Sequence, residues 1–132
     1  MGYRSQVVLA IDARIVPAFM AMFAKNEEAQ KLCTKHMDRL ETDYCGEGNW
    51  LMVWDSIKWY ESYPDVGPIV RFIEALTMED LSEYGMKEIE ASEDHEEYAE
   101  CFRFCRVGED CDDIQVEGYG FDDIAPQSSI SY

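Results

Sequence analysis

Val7-Val8-Leu9-Ala10-Ile11 is the stretch on which the reading of the fold turns. It is a short apolar run, mostly β-branched, bounded by Gln6 and Asp12. Branching at Cβ restricts χ1 and favours a pleated backbone, and the run is too short for a helix, so it predicts a strand. Polar residues do not alternate with apolar ones along it. Both faces must therefore be covered, or nearly so, which makes this the central strand of a sheet and obliges the rest of the chain to supply neighbours and cover.

Downstream, Asp12 is placed to cap a helix with Pro17 in its first turn and Phe19, Met20 and Phe23 at one-turn spacing; Asn26 restarts or continues it. Over 26–42, Leu32, Cys33, His36, Met37 and Leu40 fall at i, i+1, i+4, i+5 and i+8, with Lys31, Lys35 and Arg39 mostly outside the stripe. That spacing predicts an amphipathic helix. Gly46 and Gly48 supply a turn, and 50–60 is dense in Trp, Val and Ile, predicting a long strand. Asp65 then precedes Val66-Gly67-Pro68, and Ile69, Phe72, Ile73 and Leu76 repeat at i, i+3, i+4 and i+7, predicting a capped helix. Thr77 with Asp80 offers a capping box for one further turn. Residues 84–91, 98–107 and 113–119 read as three strands, whose connections are too short for parallel crossovers and so predict an antiparallel meander.

The order is strand, helix, strand, helix, three strands. The expectation is an α+β fold: a mainly antiparallel sheet with helices packed on one face, as one domain over 1–121, and a loosely held tail over 122–132 that contains Pro126 and three serines. A chain of 132 residues with 47% hydrophobic and 13% aromatic content can build one core despite a net charge of −17. The start of the chain lacks the basic head and apolar stretch of an export signal, and no apolar run approaches the ~18–20 residues that span a bilayer. The five cysteines, Cys33, Cys45, Cys101, Cys105 and Cys111, are an odd set, expected as free thiols, most of them buried, in a reducing cytoplasm.

Charge is segregated along the chain. Residues 1–78 hold 11 acidic and 8 basic side chains, a balance of −3, whereas 79–132 hold 17 and 3, a balance of −14. Such a field repels nucleic acid and anionic membranes and steers basic proteins in. Glu88 and Glu90 sit two apart on an expected strand, ~6.7 Å from each other on one side. At one charge per ~1.7 Å of duplex, the excess matches the phosphates of ~24 Å of DNA, about one face of a small domain. The candidate partner-binding acids are Glu88, Glu90, Glu93, Asp94, Glu96, Glu97, Glu109, Asp110, Asp112 and Asp113. The plainer alternative is a solvated face that confers solubility alone. Trp59, Tyr60 and Tyr63 are candidate aromatic anchors beside the acidic face, with core packing as the competing reading.

No G-x-S-x-G, G-x-x-x-x-G-K or G-x-G-x-x-G occurs, so the sequence offers no nucleophile elbow and no phosphate cradle. His36 lies on an apolar stripe and His95 among acids, where its charge is favoured. Cys101 and Cys105 on one strand would be ~13 Å apart along the chain, too far for one tetrahedral zinc. The turn with Glu109, Asp110, Asp112 and Asp113 keeps a second class open, a Ca²⁺- or Mg²⁺-binding module or metal-dependent enzyme, although it lacks the Gly and Glu spacing of an EF-hand. The expectation is a non-enzymatic protein with no catalytic residue and no cofactor.

Three segments carry a resemblance: Met1-Gly2-Tyr3-Arg4-Ser5, Lys58-Trp59-Tyr60-Glu61-Ser62-Tyr63-Pro64-Asp65-Val66 and Arg106-Val107-Gly108-Glu109-Asp110-Cys111-Asp112-Asp113-Ile114. The chain resembles a family of small acidic accessory proteins of tailed bacteriophages over most of its length. That resemblance implies action in the bacterial host cytoplasm, and it supplies no activity, cofactor or catalytic residue. Small acidic phage proteins include inhibitors of restriction, CRISPR and related defences, some of them DNA mimics, so the implied partner is a basic host protein or nucleoprotein complex. A virion or assembly component is a third class.

Overall fold

The run at 7–11 lies in strand β1 (Ser5–Ile11), which a computed structural model places at the centre of a five-stranded sheet. The structure describes residues 4–35, 37–44, 46, 48–60, 62–77, 101–109, 113–118, 120–121, 124–126 and 130–131. After β1 come helices α1 (Val16–Lys25) and α2 (Glu27–Lys35), strands β2 (Arg39–Tyr44) and β3 (Asn49–Ile57), and helix α3 (Gly67–Thr77). Strands β4 (Phe102–Val107) and β5 (Ile114–Glu117) follow, then a short ladder of β6 (Ala125–Pro126) with β7 (Ile130–Ser131). The sheet order is β2-β3-β1-β4-β5, antiparallel at every pairing, with Val8 opposite Val53 on one side and Cys105 on the other.

The missing alternation in β1 now has its cause. Val7, Leu9 and Ile11 face the helices, packed with Met52, Trp54, Phe102 and Phe104 against Phe19, Leu32, Phe72 and Leu76. Val8 and Ala10 face the opposite way, into a second cluster with Leu51, Val53, Cys105, Val107 and Ile124, flanked by Tyr44 and Phe121. Residues of α1, α2 and α3 enter only the first cluster, so the three helices share one face of the sheet and the α+β expectation holds. Each fully buried Leu, Ile or Phe contributes about 1.5–3 kcal/mol of transfer free energy, which makes the helix-facing cluster the larger source of stability.

Two local expectations are corrected. Ile15, not Asp12, occupies the cap position of α1, and no side chain caps it. Asp12 instead closes a turn, its Oδ1 accepting from Arg14 N at 2.8 Å. The helix expected over 26–42 is interrupted: α2 ends at Lys35 and 39–44 is edge strand β2. Trp54 Nε1 donates to Leu32 O at 3.2 Å, taking up one of the carbonyls that a helix end leaves unbonded. Asp38 then stitches the chain to β3, donating from its N to Val53 O at 2.9 Å and accepting at Oδ2 from Asp55 N at 2.7 Å. Leu40, placed on the helical stripe by spacing, is 48% exposed on this edge. Asn26 does restart the helix: its side-chain Nδ2 donates to Met22 O at 2.7 Å, and Gln30 N donates to its carbonyl at 3.1 Å.

Of the three expected C-terminal strands, 98–107 contains β4 and 113–119 contains β5, joined as an antiparallel hairpin. The expected strand at 84–91, and His36 and His95, lie outside the described residues. Among the described residues no helix is long and apolar enough to cross a membrane.

Candidate acidic interface

The hairpin that joins β4 to β5 brings two of the candidate acids to one end of the sheet. Gly108 N donates to Asp113 O at 2.8 Å, which closes the turn. Arg106 reaches over from β4 and donates through both terminal nitrogens to the Asp113 carboxylate, at 2.6 and 3.1 Å. The same guanidinium donates to Ser5 Oγ at 3.1 Å and to Gln115 Oε1 at 3.3 Å, tying β1, β4 and β5 together. A forked, charge-assisted contact of this kind fixes geometry as well as adding energy. The charge of Asp113 is thus matched inside the fold.

Glu109 differs. Its Oε1 accepts from Arg4 N at 3.1 Å, and the Arg4 guanidinium donates to Ser56 O at 3.3 Å. Glu109 and Asp55 are both exposed and line an open cleft of about 330 Å³, with Ser5, Ser56 and Val107, where β1 begins and β3 and β4 end. Asp110 and Asp112 lie between Glu109 and Asp113 in the chain but outside the described residues, as do Glu88, Glu90, Glu93, Asp94, Glu96 and Glu97.

Four of the described cations pair with acids close by in the chain. Arg14 pairs with Asp12 at 3.0 Å, Lys31 with Glu28 at 3.3 Å, Arg39 with Glu41, and Arg106 with Asp113 at 2.6 Å. Along the sequence the balance is −3 over residues 1–77, −9 over 78–100 and −5 over 101–132. The largest share falls on 78–100, which follows α3 and precedes β4 in the sequence and lies outside the described residues, with 10 acidic residues and Lys87 as its one cation.

No family model matches the chain, and neither a curated protein nor a solved structure matches it at a significant level. What the site can do therefore follows from its own residues.

The aromatic candidates separate. Trp59 is buried, its ring 5.4 Å from Trp54 and 6.0 Å from Phe104, within the helix-facing core. Tyr60 and Tyr63 meet edge to face at 5.0 Å in the loop that leads into α3, and Tyr63 stays 39% exposed. Beside Trp59 the structure opens a small cleft of about 120 Å³ between α3 and the β4–β5 hairpin. Phe104, Val70 and Ile73 make its apolar lining with Trp59, while Glu74, Thr77, Gln115 and Glu117 supply polar groups. Sequence reasoning did not single out Glu74 or Glu117. The available signal was periodicity: Gln115 and Glu117 are two apart on a strand, and Glu74 lies one residue past Ile73 on the flank of the apolar stripe.

The three described cysteines, Cys33, Cys101 and Cys105, are buried or partly buried. Burial pushes the Cys33 thiol up to about 12. Burial also raises Cys105, against the charge and hydrogen bond of Arg103. Cys101 is buried and accepts from Arg14 Nη2 at 3.2 Å. Cys101 packs in the helix-facing core and Cys105 in the core on the opposite face, so these two do not converge on one ion. Among the described residues no group of three or more His, Cys, Asp or Glu could hold a metal.

Proposed function

We propose that this chain is a non-enzymatic inhibitor that binds a basic, nucleic-acid-binding host protein through an acidic surface standing in for a phosphate backbone, as in anti-restriction or anti-CRISPR proteins of bacteriophages. One observation carries the reading. Residues 1–78 balance at −3 whereas 79–132 balance at −14, and 10 of the acids crowd into 78–100 with Lys87 as the one cation there. A charge spread only for solubility has no need of that separation, whereas a cationic groove recognises a continuous field. Glu109 adds an exposed carboxylate at the end of the sheet, beside Asp55.

The test uses purified bacterial restriction and CRISPR effector nucleases as probes, with duplex DNA as competitor. Binding should weaken by about tenfold or more between low and physiological salt, and excess duplex should displace the protein. Replacing Glu88, Glu90, Glu93, Glu96 and Glu97 by Gln and Asp94 by Asn should abolish binding. Affinity indifferent to salt, or unchanged in the neutralised variant, sinks the proposal.

A further inference from the structure

We infer that the cleft between α3 and the β4–β5 hairpin receives an arginine side chain of the basic partner; this rests on the acidic-interface reading above and gives it a defined anchor point. The cleft is too small for a nucleotide or an organic cofactor, whose sites run to ~300–1,000 Å³. At about 120 Å³ it is close to an engineered cavity of ~150 Å³ that accepts benzene, a planar group near the size of a guanidinium with its last methylenes.

Its chemistry selects a planar cation. The Trp59 ring, 8% exposed and packed 6.0 Å from the buried Phe104 ring, lines the cleft, and Val70 and Ile73 complete an apolar wall suited to an aliphatic stem. Aromatic faces attract a cation within ~6 Å of the ring, and Arg is used this way more often than Lys because its guanidinium is planar and weakly hydrated. Glu74 on the last turns of α3 and Glu117 at the end of β5 bring two carboxylates to the same cleft, and among the described residues no Lys or Arg lines it. Among those residues neither carboxylate is engaged by a cation. Gln115 Oε1 is already occupied by Arg106 Nε at 3.3 Å, which holds the Gln115 side chain in place on the cleft side of β5. An anionic guest would meet two carboxylates, and a neutral apolar guest would leave them stranded beside it. A cationic side chain with an apolar stem satisfies both halves of the lining.

The probe is a short arginine-rich peptide, compared with a citrulline peptide of the same length, which keeps the shape and loses the charge. Amide and indole NMR resonances of the whole protein are followed. The Trp59 indole and the Gln115 and Glu117 amides should shift saturably with the arginine peptide and not with the citrulline peptide. E74Q/E117Q should weaken binding about tenfold, the loss of one or more charge-assisted hydrogen bonds. E27Q/E28Q, which removes the same number of charges from α2, should change it less than about twofold. Glu74 is exposed and Glu117 partly so, and an unchanged unfolding midpoint for E74Q/E117Q shows that the fold is intact. Equal losses in the two double variants, with salt-dependent binding retained, overturn the cleft and leave the acidic-interface reading standing. No binding of the arginine peptide at low salt overturns both.

Discussion

Gly118 is where one methyl group tests the geometry of the hairpin most sharply. Its φ is +83°, and a Cβ built there would lie 2.2 Å from Phe102 O and 2.9 Å from the carbonyl carbon. That carbonyl also accepts from Gly120 N at 3.1 Å, and the carbonyl of Gly118 accepts from Arg103 Nη1 at 2.9 Å. An alanine therefore meets two penalties. Left-handed backbone costs a residue with a Cβ about 1–2 kcal/mol. Moving the methyl out of the carbonyl displaces the end of β5 and weakens the hydrogen bond from Gly120, about 0.5–1.5 kcal/mol more. The smaller entropy of an unfolded alanine returns about 0.4–1 kcal/mol. Gly46 provides the control: its φ is +71°, but nothing lies within 4 Å of the position a methyl group would take, so only the backbone and entropy terms apply. In urea unfolding followed by tryptophan fluorescence, Gly118→Ala should lose about 2 kcal/mol and Gly46→Ala about 1 kcal/mol or less. If Gly118→Ala costs no more than Gly46→Ala, the close approach of residues 102 and 118 is wrong, and with it the placement of Glu117.

The Cys33 thiol gives a pH signature. Its folded pKa of about 12 lies above the unfolded 9.0, so its contribution is complete below pH 9 and is lost as pH rises from 9 towards 12, at up to ~1.4 kcal/mol per pH unit. Urea midpoints at pH 8 and pH 10 should therefore converge in Cys33→Ala relative to the parent protein, and equal slopes would falsify the assignment. The Arg106–Asp113 pair, with side chains 17% and 35% exposed, should show a coupling of about 1 kcal/mol in a double-mutant cycle of Arg106→Gln and Asp113→Asn. A coupling near zero would mean that the hairpin closes without the pair.

The sheet is legible in the sequence where one physical signal acts alone. The run at 7–11 can only be a strand buried on both faces, and Ile69, Phe72, Ile73 and Leu76 mark the buried side of α3; all four are buried. The segment 36–44 misleads because an edge strand with both faces largely in solvent has no alternation to display. Leu40 then completes a helical stripe by coincidence of spacing. The end of α2 is set by contacts from β3, namely the Trp54 indole on Leu32 O and the bonds between Asp38 and β3, and such long-range partners have no local signature. The cleft is illegible for the same reason. Trp59, Glu74, Phe104 and Glu117 come from four parts of the chain, and only the pairing of β4 with β5 and the docking of α3 bring them together.

Charge and fold follow separate rules in this chain, and the separation bears on what the acids do. Arginines at 14, 39 and 106 hold turns and strand ends by pairing with acids within seven residues along the chain, so Asp12, Glu41 and Asp113 are structural by position. Asp113 shows how this divides even the acidic turn: it is spent on Arg106, while Glu109, four residues earlier, keeps an exposed carboxylate. Crowding like charges opposes compaction, and the stretch of sequence that builds β1 to β3 and the three helices, residues 1–78, stays close to neutral at −3. Asp12, Glu41 and Asp113 are tied to arginines of the fold, whereas among the described residues the exposed carboxylates of Asp55, Glu74 and Glu109 are paired with no cation.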